Sequence, residues 1–445
     1  MSDVLKSYER YAIPSDGLSG IANIPGDKSI SHRALILGSL AIGETKVVNL
    51  LESSDVLNTA RAMEAFGSTL KKNKDNSWSI LGVGVGGFCE PTNVIDCGNS
   101  GTAIRLILGA MSTSSITATF TGDHSLIRRP MGRVLKPLEL FGATSLSREN
   151  GLLPLTLKGS ENPIAISYSS PISSAQVKSA ILLGALNATG TSIFQEPELS
   201  RDHTEKMLKS FGAEISMQFT DGSNVIILEG PSELRSQNVF VPGDPSSAAF
   251  PLCSALMVPN SKITIPNVSQ NPTRNGLLVT LREMGANIEI ENLRDSNGEP
   301  VGDLVVSSSD LKGVEVPKDR VVSMIDEYPI LAVVASVAEG TTVMKGLREL
   351  RVKESDRISA MAQGLTANGV KVHEGEDSLT VYGTGVDAIT GGANVKTFFD
   401  HRIAMSFLCL SLVSKNPIKI DDHRSINTSF PTFFELMGSL GAEIR

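Results

Sequence analysis

The chain has 445 residues, 41% of them hydrophobic, which is ample for two cores and too much for one ordinary core. Its 40 Lys and Arg against 48 Asp and Glu give a net charge of −8, which excludes a broadly basic nucleic-acid surface but allows a local basic pocket. The four cysteines, Cys89, Cys97, Cys253 and Cys409, form no CxxC pair, so reduced thiols in a cytoplasmic protein are expected, with neither a zinc site nor a disulfide framework.

The first ten residues, "MSDVLKSYER", have no apolar signal core and no transit-peptide character. Farther along, apolar runs of about a dozen residues are punctuated by Gly, Ser or Pro, which predicts buried helices and no membrane span. Six such runs are each opened by a short polar motif: "GDKSISHRALILGSL", "GNSGTAIRLILGAM", "SSAQVKSAILLGAL", "GDPSSAAFPLCSALM", "IDEYPILAVVASVA" and "DHRIAMSFLCLSLV". Between them lie amphipathic segments that end at Gly67, Gly142, Gly212, Gly285, Gly369 and Gly441, each followed by a short alternating strand. Both markers recur roughly every 75 residues, a period too long for the common solenoids.

Each repeat reads strand, apolar helix, strand, amphipathic helix, strand, strand. A helix that is apolar all round belongs in a core, and a glycine after the amphipathic one supplies the left-handed stop. The last repeat ends one strand short, and the N-terminal segment "YERYAIPSDGLSG" is the spare piece. The expected architecture is α/β, with two similar domains of three βαβαββ units each: residues 22–241 form one, and residues 1–21 with 242–445 form the other.

All six polar motifs sit at helix N-termini, where unpaired N–H groups favour anions. Ser29, Thr102, Ser174 and Ser246 are capping types, and for any one of them a structural cap is the simpler reading. Their company points further: Lys28 and Arg33 in the first motif, Arg128 and Arg129 in "LIRRP", Arg402 in "DHR". Cations gathered at helix mouths in an acidic protein imply a small polyanionic ligand. "GVGVGG", from Gly82 to Gly87, matches a dinucleotide fingerprint by letters alone, because Pro91 and a second strand follow where the helix should be. There is no phosphate-loop motif, and the six histidines lack metal spacing.

Taken together, "GDKSISHR", "GNSGTAIR", "RRPMGR", "SSAQVKSA", "RDHTEKML", "GDPSSAAF", "NPTR", "MIDEYPILAVVA", "LRVKESDR" and "FFDHRIAMSF" closely resemble the 5-enolpyruvylshikimate-3-phosphate synthase family, nearly end to end. "GDKS", "SAQVK", "NPTR" and Arg201 to Glu205 resemble its second class. The resemblance implies an inside-out α/β barrel in each domain, with the active site in the cleft between them. It implies transfer of the enolpyruvyl group of phosphoenolpyruvate to the 5-hydroxyl of shikimate-3-phosphate, with release of phosphate and no metal or organic cofactor. The partners are then those two small molecules, with no nucleic acid and no membrane, and the enzyme a monomer.

Carried over position by position, the resemblance places shikimate-3-phosphate on Lys28, Ser29, Arg33, Ser174, Gln176, Asp326 and Lys353, with Ser173 and Arg201 as further phosphate ligands. It places phosphoenolpyruvate on Lys28, Gly101, Arg129, Gln176, Arg357 and Arg402. Arg129 is preferred to Arg128 because it directly precedes the proline. Asp326 is the expected base towards the 5-hydroxyl, Glu354 the leading proton donor, and Lys28 a second acid or stabiliser. Lys353 and Arg357 share a face if "LRVKESDR" is helical, which leaves Arg351 and Asp356 as surface charges. Thr428 stands where some members have lysine. Gly101 matches members sensitive to glyphosate, whereas Leu106 replaces a proline common among them.

Two alternatives follow from the same residues. UDP-N-acetylglucosamine enolpyruvyl transferases share the fold but usually carry a loop cysteine that "TGDHSLIRRPMGR" lacks. A catalytically silent anion-binding protein would have no use for an acid–base pair such as Asp326 and Glu354.

Overall fold

A computed structural model of the chain describes residues 8–220, 222–296, 298–385 and 388–445. The six apolar runs form helices α1 (Lys28–Leu40), α3 (Gly101–Met111), α5 (Ala175–Ala185), α7 (Pro245–Met257), α10 (Tyr328–Val337) and α12 (His401–Ser411). Because they are apolar on every side, nearly all their residues are buried. The amphipathic segments form α2 (Ser54–Ala65), α4 (Gly132–Leu140), α6 (His203–Ser210), α8 (Gly276–Glu283), α11 (Arg357–Ala367) and α13 (Phe433–Ser439), and a short α9 (Val321–Met324) precedes α10.

The glycines that stop the amphipathic helices have φ of 101°, 94°, 93°, 96°, 87° and 100°. At the first of them, Gly67 N donates to Glu64 O and Ser68 N to Met63 O, which closes the last turn of α2. An L side chain at these positions would strain the backbone, so the recurrence of glycine there has a direct physical cause.

The chain divides into two compact units, one comprising residues 1–25, 243–294 and 300–445, the other residues 26–242 and 295–299. In the second of these, α1, α3 and α5 pack on one another inside a single core. Three four-stranded sheets cover them. Their strand orders are 238–240, 44–48, 78–81, 69–72; then 95–96, 117–121, 152–158, 144–148; then 167–169, 190–196, 223–230, 215–220. Alternating burial along Leu152–Lys158 and Gly190–Glu196 shows one face of each sheet turned to the helices and the other to water.

In the other unit α7, α10 and α12 form the equivalent core. Its sheets run 287–296, 299–307, 262–269, 19–21, and 315–316, 339–345, 378–384, 371–374, with a smaller one of 10–11, 419–420 and 394–395. The N-terminal segment therefore serves two sheets. Arg10–Tyr11 lies antiparallel to Lys419–Ile420, and Ser19–Ile21 runs parallel to Lys262–Thr264. Reciprocally, Asn238–Phe240 runs parallel to Lys46–Val48 at the edge of the first sheet of its own unit. The repeated α/β architecture is as the sequence predicts, and Gly82–Gly87 is a loop.

Candidate active site

The helix caps come first, because they fix where the charged side chains start. Asp27 caps α1 through Ile30 N, Ser100 caps α3 through Ala103 N, and Ser174 caps α5 through Val177 N. Lys28 is thereby the first residue of α1, and its Nζ lies 2.5 Å from Asp55 Oδ2 on α2. Asp55 is 3% exposed. Sequence reasoning misses it because an aspartate in a first helical turn is unremarkable, and only the fold brings it to Lys28. Ser29 is half-buried, and its carbonyl accepts from Arg33 Nη1 at 2.8 Å.

Arg33 is buried, and its remaining groups donate to Thr204 Oγ1 and Ser179 Oγ, both at 2.7 Å. Thr204 belongs to "RDHTE" and Ser179 to the helix of "SSAQVKSA". Next to them Lys178 Nζ, fully buried, sits 2.8 Å from Glu196 Oε1 and 2.7 Å from Glu205 Oε1. Burial pushes the Glu205 carboxyl up and Lys178 opposes it, while the two carboxylates outweigh the burial of Lys178 and hold its ammonium charged. Several motif residues are thus partners of one another. Nearby, Asp202, His203 and Glu299 gather their ligand atoms, with Lys206 Nζ 3.2 Å from Asp202 Oδ2 supplying positive charge.

Gln176, in the first turn of α5, accepts from Arg105 Nη1 at 2.6 Å and donates to Thr102 Oγ1 at 2.9 Å. Arg105, unremarkable in the sequence because it merely interrupts an apolar helix, is the group that orients this amide. Arg129 Nη2 donates to Asn99 Oδ1 at 3.1 Å and Ser125 Oγ at 2.9 Å, which aims it across the start of α3. A Cβ on Gly101 would stand 2.7 Å from Arg105 Nη1 and 3.4 Å from Arg129 Nη1, so this glycine makes room for both guanidiniums. Leu106 is buried. Ser173 Oγ accepts from Glu198 N at 2.9 Å, and Arg201 lies half-buried just before α6.

In the unit that holds α10–α12, Asp326 occupies the turn before α10, its carboxylate facing three cations. Arg357 Nη1 is 3.3 Å away, Lys353 Nζ 3.9 Å and Arg402 Nη2 4.0 Å. Arg357 is 1% exposed, and its Nε donates to Asp400 Oδ2 at 2.8 Å and its Nη2 to Glu354 Oε2 at 2.5 Å. Burial opposes its charge, but Asp400, Glu354 and Asp326 outweigh that cost and raise its pKa above the ordinary value. The same contact holds the Asp400 carboxyl below the usual range despite its burial. Asp400 also caps α12 through Arg402 N. In the sequence it looks like an ordinary cap, yet it orders both arginines.

One expectation requires correction. "LRVKESDR" is not one helix: Arg348–Val352 forms a 3-10 turn, Lys353 begins a bend, and Arg357 opens α11. Lys353 and Arg357 converge on Asp326 by a turn rather than by helical spacing. Asp356 and Arg351 are also more than surface charges. Asp356 caps α11 through Ser359 N at 3.0 Å and accepts from Arg351 Nη1 at 2.8 Å. Thr428 closes a 3-10 turn, donating to Ser425 O at 2.7 Å. His32 is buried between Thr59 Oγ1, at 2.7 Å, and Ser100 Oγ, at 3.4 Å. No described helix is long and apolar enough to cross a membrane.

Known proteins give this arrangement a context. The family model for EPSP synthase (3-phosphoshikimate 1-carboxyvinyltransferase) matches residues 13–437. A curated 3-phosphoshikimate 1-carboxyvinyltransferase of Paracoccus denitrificans is 59% identical over 444 residues, covering 100% of both chains. One from Ruegeria sp. is 58% identical over 428 residues, 96% of this chain and 95% of that one. Among solved structures, an EPSP synthase from Acinetobacter baumannii superposes with a TM-score of 0.86 at 40% identity, covering 98% of this chain and 99% of that one. The enolpyruvyl transferase NikO of Streptomyces tendae, at 17% identity and a TM-score of 0.78 over 99% of each chain, shares the fold. Along nearly its whole length, therefore, the chain belongs to the EPSP synthase family, the 3-phosphoshikimate 1-carboxyvinyltransferases, and is a transferase of the shikimate pathway to aromatic amino acids.

Proposed function

We propose that the groups at the starts of α1, α3 and α5 in one unit and of α11 and α12 in the other divide the family's reaction among them. That reaction moves the enolpyruvyl group of phosphoenolpyruvate onto the 5-hydroxyl of shikimate-3-phosphate and releases phosphate. Lys28, Ser29, Arg33, Ser173, Ser174, Gln176, Arg201, Asp326 and Lys353 bind shikimate-3-phosphate. Lys28, Gly101, Arg129, Gln176, Arg357 and Arg402 bind phosphoenolpyruvate. Both substrates carry phosphate and carboxylate oxygens, which planar guanidiniums grip in paired hydrogen bonds. The reduced buried thiols Cys97, Cys253 and Cys409 fit a cytoplasmic enzyme, which we take to act as a monomer.

Asp326 takes the proton of the 5-hydroxyl as its oxygen bonds to C2 of phosphoenolpyruvate, while a proton reaches the methylene carbon. Loss of phosphate from the resulting tetrahedral intermediate then removes a proton from the new methyl group and restores the double bond. Glu354 is the first candidate donor and Lys28 the second. As the side chains stand, Glu354 accepts a hydrogen bond from Arg357. To donate, it must carry its proton on the other oxygen, Oε1, which leaves the bond from Arg357 to Oε2 in place.

The observation that carries this reading is the carboxylate of Asp326 held within 4.0 Å of Arg357, Lys353 and Arg402. For the phosphate and carboxylate oxygens alone a carboxylate at the centre of the cations is unfavourable, whereas a base towards the 5-hydroxyl belongs there. Asp326→Ala should lower turnover by about 10²–10⁴-fold while shikimate-3-phosphate still binds. Phosphate release from phosphoenolpyruvate, followed with that variant, checks it, and near-normal turnover would take the base role from Asp326. With the unmodified enzyme the same assay should respond to shikimate-3-phosphate and stay silent with UDP-N-acetylglucosamine, the alternative that relatives at 58–59% identity do not favour.

A further inference from the structure

The motif "NPTR" has no place in the division of labour above, yet its arginine is among the buried charges of its unit. Asn271 Oδ1 accepts from Thr273 N at 2.9 Å and from Thr273 Oγ1 at 2.8 Å, which locks the turn that presents Arg274. Arg274 is 4% exposed. Its Nη2 donates to Asp244 Oδ1 at 3.1 Å and to Ser246 Oγ at 2.8 Å. Ser246 Oγ in turn donates to Glu327 Oε1.

The direction of this chain is forced. A guanidinium can only donate, so it occupies a lone pair of the serine oxygen, and the single hydroxyl proton goes to the carboxylate. Glu327 is 2% exposed, directly follows Asp326, and holds Oε1 3.8 Å from Arg402 Nη1. That same Nη1 donates to the backbone carbonyl of Asp326 at 3.0 Å.

We infer that Arg274, acting through Ser246 and Glu327, is a positioning residue for Arg402 and hence for the phosphoenolpyruvate end of the site. Two buried cations, Arg274 and Arg402, share two buried carboxylates, Asp244 and Glu327. Ser246, held in place by Arg274, engages Glu327 from one side, so Glu327 does not draw Arg402 into a full ion pair. Without the serine hydroxyl, Glu327 has Arg402 as its nearest strong donor and pulls the guanidinium inward, away from an approaching carboxylate or phosphate. Loss of the Arg274 charge has the same direction, since the surplus negative charge of Asp244 and Glu327 then falls on Arg402.

This inference rests on reading Arg402 as a phosphoenolpyruvate ligand, and the test separates the two. Steady-state constants for both substrates are measured for Ser246→Ala, Arg274→Met, Arg274→Lys, Arg402→Met and the double variant Ser246→Ala/Arg402→Met, with melting curves alongside. Ser246→Ala should raise KM for phosphoenolpyruvate between about 10- and 100-fold, with a smaller change in kcat and in KM for shikimate-3-phosphate. Arg274→Lys should fall between wild type and Arg274→Met. On the Arg402→Met background Ser246→Ala should add nothing, because the residue it acts through is gone. If Ser246→Ala folds as the wild type does and KM for phosphoenolpyruvate stays within about twofold, the positioning role is wrong. It is equally wrong if the effect of Ser246→Ala persists undiminished beside Arg402→Met. If Arg402→Met itself leaves that KM unchanged, the assignment of Arg402 fails and takes this inference with it. Should Arg274→Met not fold, Ser246→Ala and Arg274→Lys still decide the question.

Discussion

His32 shows how a single side chain can couple site geometry to pH. It is wholly buried, with Nδ1 2.7 Å from Thr59 Oγ1 on α2 and Nε2 3.4 Å from Ser100 Oγ, the cap of α3. Burial lowers its pKa well below 6.5, and the charges of Lys28 and Arg33 lower it further, against a smaller opposite effect of Asp27. The unfolded chain therefore binds a proton that the folded chain refuses. Stability from this group is present above the unfolded value and is lost as pH falls below it, down to the folded value. The slope attributable to one such group is at most about 1.4 kcal/mol per pH unit. Denaturant unfolding between pH 7.5 and 5 should show stability falling with acid in the wild type. His32→Asn, which keeps a hydrogen-bonding side chain without the titration, should lose less over that range. Equal slopes would remove His32 as the source.

Among elements, α11 shows what capping does for function. Asp356 accepts from Ser359 N at 3.0 Å and from Arg351 Nη1 at 2.8 Å, and the helix it starts carries Arg357 as its first residue. Arg351 is anchored independently, through Glu376 O at 2.7 Å and Gly375 O at 2.6 Å. Removing the Asp356 carboxylate thus loosens the helix start and leaves the turn before it pinned. Asp356→Ala should cost about 1 kcal/mol, and Asp356→Asn, which keeps an acceptor, much less. Thermal melting ranks the two. Because Arg357 sits in the loosened turn, the alanine variant should also show a higher KM for phosphoenolpyruvate, and unchanged kinetics would separate the cap from the site.

This element also marks where the sequence stops being legible. The buried helices and glycine-ended amphipathic helices can be read because local rules govern them: continuous apolar composition and the need for a positive φ. In the octet from Leu350 to Arg357, charges at helical spacing mimic a helix, whereas the chain bends at Lys353 so that Asp356 can cap. Nothing local announces that bend. Asp55, Arg105 and Asp400 escape a reading of the sequence for a related reason. Their neighbours in sequence are ordinary, and their partners Lys28, Gln176 and Arg357 lie 27, 71 and 43 residues away, so that only tertiary folding pairs them.

For the chain as a whole, the N-terminus decides whether the last repeat is complete. Tyr11 N donates to Arg445 O at 3.0 Å, Arg445 N to Tyr11 O at 2.9 Å, and Ile13 N to Glu443 O at 2.9 Å. Ser411 Oγ, at the end of α12, donates to Ala12 O at 2.5 Å and accepts from Ile418 N at 2.9 Å. The Arg424 guanidinium stands 3.9 Å from the centre of the Tyr8 ring. Deleting residues 1–13 would leave these edge groups without their partners and expose the end of α12, the helix whose first turn holds Arg402. Residues 26–242 form their own core and gain nothing from those bonds. In hydrogen exchange, peptides from 394–445 of the truncated protein should exchange faster than those of the full chain, while peptides from 26–242 should be unchanged. KM for phosphoenolpyruvate should rise with them, because the loosened helix carries Arg402, one of the ligands proposed for it. Uniformly faster exchange through both units would mean that the N-terminal strand stabilises the whole fold, and protection of 394–445 equal to that of the full chain would mean that the last repeat closes without it.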